Sequence, residues 1–96
     1  MDEGFEYDPS KAATNLKKHG VWLADAEGVF QDPFARHIED LEAEGEQRFI
    51  ALGEGSAGAL LVVVYTHRGE RIRVISARRA TPREVRKYRE EEDNEG

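Results

Sequence analysis

The sequence predicts an α+β domain, with helices packed on an antiparallel sheet, and three observations predict it. The periodic segments run in the order strand, two helices, four strands, helix. The most apolar run, Ala59 to Tyr65, has the length of a central strand and falls far short of the roughly 20 residues that span a bilayer. Directly after the last strand stands a helix-start signature, Thr81-Pro82-Arg83-Glu84. With 96 residues, 39% of them hydrophobic, the chain holds one modest core and one domain, residues 1–96.

Each element has a local reason. Phe5-Glu6-Tyr7 alternates apolar and polar and reads as a short strand. Asp8 is a good N-cap and Pro9 suits the first helical position, so a helix runs from there to about Lys18. Gly20 is its natural stop, and Lys17, Lys18 and His19 complement the dipole in its last turn. Trp22 to Phe30 carries apolar residues at helical spacing and ends at Asp32-Pro33. Ala35 to Leu41 and Gln47 to Leu52 have strand character, separated by an acidic turn, and Gly53 to Gly58 is a loop by composition. Ala59 to Thr66 and Arg71 to Ala77 form a hairpin about Arg68-Gly69. In the last helix Val85 and Tyr88 are expected to face inward, and the acidic tail, residues 90–96, is expected to be disordered.

Charge is divided along the chain. Residues 1–60 hold 5 Lys and Arg against 13 Asp and Glu, residues 61–89 hold 9 against 2, and residues 90–96 hold 0 against 5. The basic stretch consists of eight arginines and Lys87. Arginine forks onto phosphate oxygens, so the segment points to a polyanion partner, although a solvated face or internal pairing with the acidic half gives the same composition. No cysteine occurs, which excludes a disulfide scaffold, a cysteine zinc site and a thiol nucleophile, and fits a reducing cytoplasm. Neither a secretory leader nor a membrane segment is expected from the acidic start Met1-Asp2-Glu3-Gly4. Zinc-hydrolase spacings, a phosphate-binding glycine loop and a nucleophile elbow are all missing from the sequence, so no metal or cofactor is expected.

Strand alternation places the arginines. On the return strand Arg71, Arg73, Ile75, Ala77 and Arg79 point one way, and Ile72, Val74, Ser76 and Arg78 the other. The second set is the better core face. Arg71, Arg73 and Arg79 then form an exposed row with about 7 Å between alternate residues, a spacing close to that of successive phosphates. An ordinary wet sheet face has the same pattern. His67 lies at the hairpin end, and Tyr88 two turns into the last helix. Histidine, tyrosine and several arginines are what metal-free RNA cleavage needs: a base for the 2′-OH, an acid for the leaving oxygen and cations for the charge on phosphorus. His19 is most simply a helix cap, and nothing singles out His37.

The blocks Tyr7-Asp8-Pro9-Ser10-Lys11, Asn15-Leu16-Lys17-Lys18-His19-Gly20-Val21, Val29-Phe30 to Asp32-Pro33, Glu46-Gln47-Arg48, Leu61 to Thr66, Arg73-Val74-Ile75-Ser76-Ala77-Arg78-Arg79-Ala80-Thr81 and Glu84 to Tyr88 resemble, in order, those of the BrnT toxins. These are the ribonuclease half of a bacterial type II toxin–antitoxin system. Tyr7 stands where the family often has Trp. The resemblance implies a RelE-like fold, RNA cleavage without metal, and a cognate ribbon-helix-helix (BrnA-like) antitoxin through which alone operator DNA is bound. It also implies catalytic roles for Arg73, for Arg78 or Arg79, and for Tyr88.

Together the residues and the resemblance give a cytoplasmic endoribonuclease toxin. Arg73 and Arg79 are expected at the phosphate, and His67 and Tyr88 at proton transfer. Lys11, Lys18, Arg48, Arg71 and Arg78 are expected along the RNA backbone. The alternative is a non-catalytic RNA- or antitoxin-binding module of the same fold.

Overall fold

The computed structural model describes residues 4–95, with side chains described as far as Glu90. Five strands make one sheet in the order β1-β5-β4-β3-β2: β1 (Phe5–Tyr7), β2 (Arg36–Asp40), β3 (Arg48–Glu54), β4 (Leu60–Arg68) and β5 (Arg71–Arg79). Helix α1 (Pro9–His19) follows β1, a 3-10 helix (Leu23–Gln31) leads to β2, and α2 (Pro82–Glu95) closes the chain. The α+β class and the element order are as expected, with two differences. The sheet is mixed, because β1 lies parallel to β5 while the other pairs are antiparallel. No hairpin joins β1 to β5, so connectivity does not force an antiparallel pair. The second helix is 3-10 rather than α. It presses so closely on the β3–β4 loop that a Cβ on Gly28 would collide with the Gly55–Ser56 backbone. That loop is also tied to it, Ser56 N donating to Asp25 O and Gly28 N to Ser56 Oγ.

Local chemistry explains the ends of α1. Asp8 accepts from Ser10 N and Ser10 Oγ, both at 2.9 Å, and these bonds hold its carboxyl below the ordinary value. Gly20 takes φ 69° and returns its N–H to Leu16 O. Helix α2 continues to Glu95, so backbone expected to be disordered is helical up to that residue; Gly96 lies outside the described residues. Glu ranks among the better helix formers, which favours continuation.

The core lies between one face of the sheet and the α1 and 3-10 layer. It comprises Phe5, Val21, Leu23, Ala26, Val29, Ala51, Leu61, Val63, Tyr65, Val74 and Ala77. The register of the β4–β5 pair shows why simple alternation fails on β5. Val64 faces Ser76 and Tyr65 faces Val74, so Ile75 is an extra residue, a β-bulge. Below the bulge Ile72 and Val74 face the helices; above it Ala77 and Arg79 do, opposite Val63 and Leu61. The expected core face, Ile72, Val74, Ser76 and Arg78, therefore holds only for its first half. The row Arg71, Arg73, Arg79 is corrected to Arg71, Arg73, Arg78, with Arg79 on the helix side.

Asn15 supplies a second feature that the sequence pattern did not reveal. β1 ends opposite Val74, leaving the next part of the β5 edge open. The buried Asn15 amide takes that place. Its Nδ2 donates to Ala77 O (2.8 Å) and Val21 O (2.9 Å), and its Oδ1 accepts from Ala77 N (3.1 Å). One side chain thus answers the backbone groups that a neighbouring strand would otherwise pair.

Candidate functional site

The expected site residues fall into two groups at opposite ends of the sheet. At the α2 end, Tyr88 is buried at 4% exposure and its hydroxyl donates to Asp32 Oδ2 at 2.7 Å. The same carboxylate accepts from Glu54 N and Phe34 N. Burial pushes the Asp32 carboxyl up, and the hydrogen bonds outweigh it and hold the group below its ordinary value. Glu54 stands opposite Leu60, seven residues before His67 on β4, or about 23 Å along the strand. Tyr88 and His67 therefore do not form one proton-transfer pair.

Arg78 is committed at the same end. Its guanidinium forks onto Glu84 at 2.9 and 3.0 Å. Glu84 also accepts from Thr81 N and gives its own N–H to Thr81 Oγ1, completing a capping box. The Arg78 bond is the main reason the Glu84 carboxyl falls to about 2. Arg79 is exposed, and among the described residues no carboxylate pairs with it. Toward the hairpin, Glu6 on β1 holds Arg71 (3.2 Å) and Arg73 (2.9 Å) together. Arg48 approaches Glu46 at 3.8 Å, and its buried Nε has no hydrogen-bond partner among the described residues. Lys11 and Lys18 are exposed on α1.

His67 belongs to a different assembly, on the helix-side face at the hairpin end. Register aligns His37 of β2, Ala51 and Phe49 of β3, and Tyr65 and His67 of β4 on that face. Phe30, from the end of the 3-10 helix, meets Tyr65 edge-on at 4.8 Å between centroids. Phe49 stacks on Tyr65 at 5.5 Å, and His67 lies 5.2 Å from Phe49 and 5.7 Å from Tyr65. On the other flank of Tyr65, His37 Nδ1 is 2.9 Å from its hydroxyl. Burial lowers the His37 imidazole below its ordinary value and raises the Tyr65 phenol above its own. At pH 7 the pair is therefore neutral imidazole against neutral phenol. His37 and His67 are exposed, and Phe30 and Phe49 are half-buried.

This arrangement can move protons and stack a flat ring. Neutral His37 can accept a proton, His67 stands on the far side of the same tyrosine, and aromatic faces beside them suit an unstacked base. Sequence reasoning passed over His37 because its strand is polar. The signal was its parity: His37 lies opposite Ala51, which lies opposite Val63 of the core.

The small α+β domain is also the architecture of a solved ribonuclease toxin. The crystal structure of the Brucella abortus ribonuclease toxin, BrnT, superimposes with a TM-score of 0.63 at 28% identity, covering 80% of this chain and 97% of that one. The family model for the ribonuclease toxin, BrnT, of type II toxin–antitoxin systems matches residues 7–84, and the chain belongs to that family. No curated protein matches it. Among the described residues no helix is long and apolar enough to cross a membrane.

Proposed function

We propose that the protein is an endoribonuclease that cleaves RNA without a metal ion, by attack of a 2′-OH on the adjacent phosphorus, and that a cognate ribbon-helix-helix antitoxin silences it. The observation that carries the mechanism is His37 Nδ1 at 2.9 Å from Tyr65 OH, with His67 across the same ring. His37, kept neutral by the partial desolvation of its ring against Phe30 and Tyr65, takes the 2′-OH proton. Tyr65 fixes the ring. His67 gives a proton to the departing 5′ oxygen, so the RNA chain breaks to a 2′,3′-cyclic phosphate and a 5′-hydroxyl. Phe49 and Phe30 offer stacking surface for the flanking base.

Cations stand on the opposite face of the same hairpin: Arg68 follows His67 in the strand and points away from it, Arg71 faces Arg68, and Arg73 shares Glu6 with Arg71. They hold the RNA backbone where it passes round the hairpin end, not the phosphate at the histidines. An RNA phosphate competes with the Glu6 carboxylate for that pair. In this reading Tyr88 and Arg78 fasten α2, and Arg79, Lys18 and Lys11 steer the RNA electrostatically.

Incubation of purified protein with RNA in EDTA, with and without its antitoxin, tests the reading. Fragments ending in 2′,3′-cyclic phosphate that vanish on adding antitoxin are expected. RNA that is bound and never shortened would instead make the protein a binding module.

A further inference from the structure

The two edges of the sheet are finished differently. On one side β1 covers part of β5, and Asn15 answers the backbone of Ala77 beyond it. On the other side β2 pairs only with β3, and among the described residues no strand takes its outer edge. Ile38, at the middle of β2, is 61% exposed. An open edge presents a row of N–H and C=O groups that a further strand can take up, and proteins commonly guard it with charge. Here the charges do not all repel a copy of themselves. Arg36 and His37 precede Ile38; Glu39 and Asp40 follow it.

We propose that β2 pairs antiparallel with β2 of a second copy about a twofold axis through Ile38, joining two five-stranded sheets into one of ten strands. Directly opposed residues must point to the same side of a sheet, so only registers that match even with even and odd with odd positions are allowed. Three centre on the strand. An axis at His37 sets Arg36 against the partner's Ile38 and His37 against its own copy. An axis at Glu39 sets two carboxylates face to face. The axis at Ile38 alone pairs all five residues and sets no like charges together: Arg36 faces the partner's Asp40, His37 the partner's Glu39, with the reciprocal pairs, and Ile38 faces its own apolar copy. Opposed Cβ atoms lie roughly 4.5–5.5 Å apart, within reach of these side chains. The contact is isologous, as a closed dimer requires.

The pairing also reaches the histidine cluster. His37 and Glu39 lie on the helix-side face, and a twofold axis normal to the sheet keeps faces together. The partner's Glu39 therefore sits beside His37 on the side away from Tyr65, where it orients the imidazole. Only this consequence rests on the proposed nuclease reading; the dimer itself does not.

Sedimentation of the full chain over rising concentration, without RNA, tests the proposal. The wild type is expected to move from 10.9 kDa toward twice that mass. Arg36→Asp places a carboxylate against the partner's Asp40 and is expected to sediment as a monomer. The double exchange Arg36→Asp with Asp40→Arg recreates the pairs with signs reversed and is expected to restore the dimer. Ile38→Lys, which sets two lysines face to face on the axis at a position 61% exposed, gives an independent break, and melting curves identify any variant that fails to fold. A wild type that stays monomeric at every concentration, or a dimer indifferent to both Arg36→Asp and Ile38→Lys, overturns the proposal.

Discussion

The two ends of the sheet use similar residue types for different ends. Near α2, Tyr88 answers Asp32, and Arg78 answers Glu84. Tyr88 is buried, and the groups satisfy one another. Near the hairpin, His37 and His67 flank a buried tyrosine and remain exposed, one with its proton affinity lowered. A polar group that is buried and satisfied stabilises a fold, because losing its partner leaves a desolvated atom. An exposed group held by rings is free to meet a substrate. On the proposed reading, Tyr88 belongs to the architecture and the histidines to the chemistry.

Substitutions can break or sharpen this contrast. The largest effect is expected for His37→Ala with His67→Ala, which should slow RNA cleavage about a thousandfold or more, the range for loss of acid–base catalysis, while the melting temperature barely moves. Full activity in that variant would sink the site. Asn15→Ala should cost about 3 kcal/mol in a denaturant titration, since it leaves the Ala77 N–H and C=O and the Val21 C=O without their partner. Tyr88→Phe should cost about 1–2 kcal/mol of stability and leave cleavage intact, the reverse of the histidine result. A large loss of cleavage with unchanged stability would return Tyr88 to the chemistry.

Acidity separates the ends further. With His37 as base, cleavage should rise with pH through a midpoint below the ordinary histidine value of 6.5, because burial disfavours the imidazolium. Glu84 acts on stability instead. Its folded-state value of about 2 lies below the ordinary 4.5, so its contribution is present above 4.5 and is lost as pH falls toward 2. Acid unfolding of Glu84→Gln should be flatter over that interval. The smallest change is expected for Glu6→Gln, which releases Arg71 and Arg73 and should tighten RNA binding a few-fold at low salt.

Much of the fold was legible because its signals are local. Asp8-Pro9, Gly20 and the Thr81 to Glu84 box mark helix ends through bonds spanning two to four residues. What stayed hidden depends on partners distant in sequence. The parallel setting of β1, the bulge at Ile75 and the clamp of Asn15 on Ala77 join residues about 60 positions apart or change a count that pattern alone treats as unbroken. The site followed the same rule. His67 and the arginines were visible as residue types, but alternation without the bulge put Arg79 in the wrong row, and His37 needed the register of three strands. Tyr88 showed its helical face and not the Asp32 that receives its hydroxyl.

The bulge at Ile75 acts as a frameshift written in space. Were the ladder to run unbroken through that residue, every position downstream would turn half a revolution. Ala77 would leave the seat that Asn15 grips, Arg78 would swing toward the core and away from Glu84, and Pro82 would start its helix from the wrong side. Deleting Ile75 itself takes out only the unpaired residue and leaves Ser76 to Arg79 opposite the same partners, so that loss should be tolerated better than the insertion of a second unpaired residue beside it.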